Sequence, residues 1–136
     1  MPLWDKWRMT FNDSSPIYRQ IVLQFNQAFA RGDISPGERI PSIREMAALL
    51  KVNTNTMQRV YQEMEREELI SSKRGTGYFF TEEKEVTKEM RRSLVMESLA
   101  RFTNEMRALG CADREIIKQL ETYMKEGGKN GYNAGS

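Results

Sequence analysis

The chain has 136 residues, with 21 Lys+Arg against 19 Asp+Glu and a formal net charge of +2. Hydrophobic residues at 39% and charged residues at 29% describe a globular polypeptide rather than a disordered one, long enough for one ordinary core and a helical appendage. With no histidine and one cysteine, Cys111, the chain lacks His–metal clusters, Ser–His and Cys–His nucleophile pairs, the usual neutral-pH base and any internal disulfide.

Residues 1–80 hold eleven Lys+Arg against nine Asp+Glu, and residues 81–136 hold ten against ten. So small an excess means that binding to a polyanion must rest on placed charges rather than on a bulk field. No apolar run of about eighteen residues occurs, so no membrane span is expected. Charges interrupt the apolar residues of the leading MPLWDKWRMTF, unlike a signal peptide. The expectation is a cytoplasmic protein.

Residues 1–13 read as an irregular lead whose Leu3, Trp4, Trp7 and Phe11 pack on the core or on a second subunit. Ser14, Ser15 and Pro16 predict a helix start, with a Ser cap and Pro at the first helical position. Ile17, Ile21, Phe25 and Ala28/Phe29 recur at helical spacing, so this first helix buries one face and ends near Arg31-Gly32. A turn-rich connector, Asp33 to Gly37, follows.

Ser42-Ile43-Arg44-Glu45 is a capping box, in which Ser caps the second helix and Glu reaches back. Ile43, Met46, Ala47 and Leu50 form its apolar stripe, and Lys51-Val52 the turn after it. Asn53 caps a third helix running to about Glu67. Leu69–Ser72 and Tyr78–Thr81 predict two strands around the turn Lys73-Arg74-Gly75-Thr76-Gly77, a β-hairpin wing. Beyond Glu82 a long helix carries Val95, Leu99, Phe102, Met106 and Leu109 alternately four and three apart, a coiled-coil-like seam. Val86, Met90 and Leu94 extend its apolar edge. Gly110 ends this helix. Asp113 is the expected cap of a last helix, whose stripe is Ile116/Ile117, Leu120 and Tyr123/Met124. The resulting expectation is a mainly α (α+β) chain. Residues 1–81 would be a winged helix-turn-helix DNA-binding domain, 82–126 a helical hairpin for dimerisation, and 127–136 a flexible tail.

The third helix carries the functional signal. At about 100° per residue, Met57, Val60, Tyr61 and Met64 face the core. Asn55, Arg59, Gln62 and Arg66 lie opposite, with Thr54 and Gln58 nearer the flanks. Asn and Gln pair bidentately with adenine, and Arg with guanine. The N-terminal residues of such a helix approach base edges most closely, which selects Thr54, Asn55, Gln58 and Arg59 over Arg66. The acidic run Glu63, Glu65, Glu67 and Glu68 sits at the far end, away from a polyanion. Arg44, in the first turn of the second helix, is placed for a phosphate beside a helix N-terminus. Lys73 and Arg74 are placed to meet the DNA backbone or minor groove, while Gly75 and Gly77 let the hairpin backbone come close.

Three strings resemble the GntR family of winged-helix regulators: Pro36–Ala47 (PGERIPSIREMA), Val52–Glu65 (VNTNTMQRVYQEME) and Gly75–Phe79 (GTGYF). The leading Ser15–Ile21 (SPIYRQI) is similar to the family's first helix, so the resemblance covers residues 15–81. The run Asn53-x-Asn55-Thr56-x-x-Arg59-x-Tyr61 looks like the branch shared by YtrA-type and MocR-type regulators. The chain is far too short for the aminotransferase-like domain of the MocR type, and its two closing helices look like the YtrA type. The resemblance implies a bacterial repressor that binds a palindromic operator as a homodimer. It implies DNA contact at Arg44, at Thr54, Asn55 and Thr56 of the third helix with Gln58 and Arg59 behind them, and at the Gly75-Thr76-Gly77 wing. Other branches carry Arg where Thr54 and Gln58 stand, so no operator sequence transfers. No cofactor is expected. An effector is left open, with the dimer seam as one place for it. The competing expectation is a winged-helix interaction module without sequence-specific DNA binding, against which the polar face and basic wing both argue. No catalytic motif supports an enzyme.

Overall fold

The computed structural model describes residues 4, 7 and 9–130, with side chains as far as residue 127. In chain order its elements are α1 (Ile17–Arg31), β1 (Arg39–Ile40), α2 (Ile43–Leu50), α3 (Thr54–Arg66), β2 (Ile70–Lys73), β3 (Gly77–Phe80), α4 (Lys84–Ala108) and α5 (Asp113–Asn130). Three helices and a small antiparallel sheet form a winged helix-turn-helix, and two helices follow it, as expected. The chain divides into two compact units, residues 1–94 and 95–136, and α4 contributes to both.

The core of the first unit is built from one face of each helix. From α1 it takes Ile21, Phe25, Ala28 and Phe29, and from α2 Met46, Ala47 and Leu50. Met57, Val60, Tyr61 and Met64 of α3 are all fully buried, as the helical spacing predicts. Phe25 is the hub: Trp7 meets it edge-on at 4.8 Å, Trp4 at 5.9 Å and Tyr61 edge-on at 6.4 Å. The tryptophans of the lead thus cover the core of their own subunit, where large aromatic surfaces leave water. Leu3 lies outside the described residues. Phe29 stacks on Phe80 at 4.0 Å and fastens the sheet to α1. Val86 and Met90 of α4 pack on the same core.

Three helix ends differ from expectation or extend it. Pro16 is itself the cap of α1, in extended geometry, and no side chain caps the helix. The serines are not used, because Gln20 ties down the lead instead. Its amide donates to the Asn12 and Ser15 carbonyls at 2.9 and 2.7 Å, and its side-chain oxygen accepts from the Asn12 N–H at 3.1 Å. Ile17, expected in the buried stripe, is 45% exposed. Asp113 does not cap α5. It lies in the helix's first turn, and its carboxylate takes two hydrogen bonds from Arg107, at 3.0 and 3.1 Å, across the Gly110 turn. Those bonds hold the Asp113 carboxyl below its ordinary range. Finally, α5 continues through Gly127 to Asn130, four residues into the segment read as a tail. Residues 131–136 lie outside the described residues.

The sheet order is β1-β3-β2, antiparallel throughout. A two-residue strand leaves no alternation to read, which is why β1 escapes a sequence-based reading. It forms because Glu38 accepts from the Phe80 N–H at 2.9 Å while Gly37 donates to the Phe80 carbonyl at 3.0 Å.

Candidate nucleic-acid interface

The helix-turn-helix is assembled by local chemistry. The Ser42 hydroxyl accepts from the Glu45 N–H, and the Glu45 carboxylate accepts from the Ser42 N–H, both at 3.1 Å. The Ser42 backbone N–H, and after it the Ser42 hydroxyl, hold the Glu45 carboxyl below its usual value. Lys51 closes α2 in the left-handed region at φ 57°, turning the chain sharply. Asn53 then starts α3, its side chain accepting from the Asn55 N–H at 2.7 Å. Tyr61 locks the two helices together. Its hydroxyl donates to the Pro41 carbonyl just before α2, and burial pushes its pKa well above the phenol's ordinary value.

With one side of α3 committed to the core, the other is delivered to solvent. Thr54, Asn55, Gln58, Arg59 and Gln62 are exposed and Thr56 is half-buried. At the far end, Arg66 is ion-paired with Glu63 one turn earlier. That pairing neutralises part of the acidic run. Arg44 is exposed in the first turn of α2, with no hydrogen bond or ion pair among the described residues.

Both strands of the wing keep the expected four residues but sit one residue nearer the turn, β2 at Ile70–Lys73 and β3 at Gly77–Phe80. Ser72 opposes Tyr78 and Lys73 opposes Gly77, leaving Arg74, Gly75 and Thr76 as the turn. Gly77 has φ 118°, a backbone conformation that favours glycine, and a Cβ there would sit 3.2 Å from Arg39 Nε, so a side chain would also displace the Arg39 guanidinium slightly. Thr76 is partly consumed by the turn: its N–H and hydroxyl donate to the Lys73 carbonyl at 2.9 and 3.0 Å. The Lys73 ammonium rests 4.8 Å from the Phe79 ring centre. Lys73, Arg74, Gly75 and Thr76 are exposed.

Three residues that the sequence reading passed over belong to this region. Arg39 of β1 donates to the Thr76 carbonyl at 3.1 Å and braces the wing. Tyr18 and Arg19, at the start of α1, lie against α3: Arg59 stacks on the Tyr18 ring at 3.8 Å. An Arg two residues ahead of Pro41 and a Tyr beside the apolar stripe of α1 were the available signals. Neither has a meaning until the elements are packed.

On the arm, Val95 and Leu99 are about half exposed, Phe102 and Met106 are half-buried, and Leu109 is 79% exposed. Among the described residues no side chain of α4 is fully buried, and on α5 only Ile116 is. Ile117, Tyr123 and Met124 are exposed, and Leu120 is borderline. Cys111 is a half-buried free thiol. No helix among the described residues is long and apolar enough to cross a membrane.

Residues 17–80 match the model for bacterial regulatory proteins of the gntR family. The HTH-type transcriptional regulator YhcF of Bacillus subtilis is 41% identical over 117 residues, which cover 86% of this chain and 97% of YhcF. The HTH-type transcriptional repressor YtrA of the same organism is 32% identical over 121 residues, covering 86% and 93%. A solved GntR family transcriptional regulator from Listeria monocytogenes matches with a TM-score of 0.77 and 36% identity, over 82% of this chain and 98% of that one. Each of these similarities runs nearly the full length of a short regulator, arm included, and none of the three is an enzyme. The chain therefore belongs to the GntR family, is of the YtrA type, and is a DNA-binding transcriptional regulator.

Proposed function

We propose that this regulator is a repressor that acts as a homodimer on a palindromic operator, in the cytoplasm, by occluding the DNA it covers. The observation that carries the DNA reading is the exposed amide-and-guanidinium face of α3 beside a cationic wing on the same compact unit. Thr54, Asn55, Gln58 and Arg59 read base edges in the major groove. Arg44 and the wing residues Lys73, Arg74, Gly75, Thr76 and Gly77 hold the backbone or the minor groove. The dimer rests on the arm: Val95, Leu99 and Leu109 expose an apolar stripe that a monomer keeps in water at a cost. Two protomers on half-sites about 34 Å apart, or a multiple of that, give the operator its two-fold symmetry. That YtrA of B. subtilis is named a repressor supports the sign of regulation.

Gel-shift titration of the purified protein against duplex from its own upstream region, repeated across salt concentrations, tests the reading. Affinity should exceed that for random duplex by roughly a thousandfold or more. Equal affinity for the two would overturn sequence-specific repression.

A further inference from the structure

An exposed arginine on a helix surface samples many rotamers, and ordering it at a base edge opposes binding. Arg59 is not left to do so. Its guanidinium carbon lies 3.8 Å from the centre of the Tyr18 ring, and its Nη2 donates to the Tyr18 hydroxyl at 3.2 Å. Tyr18 is forty-one residues away in sequence, in the first turn of α1, and is half-buried there. It is itself held, because Arg19 Nε donates to the same hydroxyl at 3.0 Å. Between them the two guanidiniums, Arg19 first, favour the phenolate and keep the Tyr18 phenol below its ordinary pKa. Glu63 lines the adjacent hollow with Tyr18 and Arg19 but is bonded to Arg66 and makes no ion pair with Arg59. On the other side, Asn55, Thr56, Arg59, Tyr18, Ile17 and Pro16 line one open hollow of about 360 Å³. The start of α1 and the base-reading end of α3 therefore share a surface.

We propose that Tyr18 is a positioning residue for DNA recognition: its ring face and hydroxyl hold the Arg59 fork where it meets a base edge, so that α1 sets specificity through α3. A guanidinium stacked on an aromatic ring keeps its in-plane N–H groups available, and the Tyr18 hydroxyl takes one of the five donors. The remaining fork fits the two acceptors of a guanine. This inference rests on the DNA-reading function proposed above.

The test begins with wild-type protein and a library of randomised duplexes, from which bound sequences are selected. Failure to enrich any sequence would remove the DNA reading itself, and this inference with it. Given an enriched site, Arg59→Ala identifies the base pair that Arg59 reads as the one position where preference relaxes. Tyr18→Ala should relax the same position, lowering discrimination there about tenfold. It should leave affinity for random duplex and the salt dependence unchanged. Tyr18→Phe, which keeps the stack, should restore most of the discrimination. In the Arg59→Ala background, Tyr18→Ala should add nothing at that position. Thermal unfolding of each variant separates these effects from misfolding, with Tyr18→Phe as the variant least able to disturb packing. If Tyr18→Ala weakened all sequences equally, or added in full to Arg59→Ala, Tyr18 would not position Arg59 and the inference would fail.

Discussion

Asn55 and Arg44 are both exposed polar residues at helix starts, yet different chemistry separates their roles. An amide offers a paired donor and acceptor, the pattern adenine presents in the major groove. A guanidinium beside a helix N-terminus offers charge to a phosphate, which carries no sequence information. Asn55→Ala should therefore cost about 1–3 kcal/mol on the best operator and relax preference at a single base pair. Arg44→Ala should weaken binding to all sequences alike and make the salt slope shallower by about one unit. Salt-dependent titration of both variants on operator and random duplex checks the pair. A selective change of base preference with Arg44→Ala would reverse its assignment. The exposure of Asn55 was readable from spacing alone, but the contact of Arg59 with Tyr18 was not. Sequence spacing says which side of α3 a residue occupies and nothing about which residue of another helix lies beside it.

Individual elements obey local rules, and α2 shows this most directly. Its capping box was legible because it needs only four consecutive residues, and the reciprocal bonds form as expected. The Glu45 carboxylate is stabilised by Ser42, so its pKa is lowered on folding. A lowered acid contributes its full stability above its ordinary value, about 4.3, and loses it as pH falls through the lowered folded value. Glu45→Gln should accordingly be less stable than wild type by a constant margin above about pH 5, and that margin should close below it. Thermal unfolding of both proteins across this range checks it. A margin that stayed constant into strong acid would show that the carboxylate's charge contributes nothing. Elsewhere local rules lost to longer-range partners. Asp113 had cap chemistry but lies in the first turn of α5, where its carboxylate takes two charge-assisted bonds from Arg107. Ser15 was passed over because Gln20 already secured the chain ahead of α1.

At the scale of the molecule, two kinds of apolar surface are present. In the first unit the apolar faces find each other, and Tyr61, Phe25 and Met57 are fully buried. On the arm, an apolar stripe of comparable regularity remains in contact with solvent along α4 and α5. Leu99→Glu, placing a charge in the proposed seam, should shift sedimentation at micromolar concentration from dimer to monomer and reduce operator affinity at least tenfold. Retention of a dimer would move the interface elsewhere, and a monomeric wild type would remove the homodimer altogether.

By itself the sequence determined which helices form, which face of α3 is turned to the core, and that a cationic hairpin follows it. Each of these depends on periodicity, capping or turn chemistry within a few consecutive residues. The tertiary structure alone decided that Trp4 and Trp7 close over Phe25, that β1 joins the sheet, and that Tyr18 lies under Arg59. Those contacts join residues far apart in the chain. They arise only once burial of the shared core has set the angle of one element against another, which no local pattern encodes.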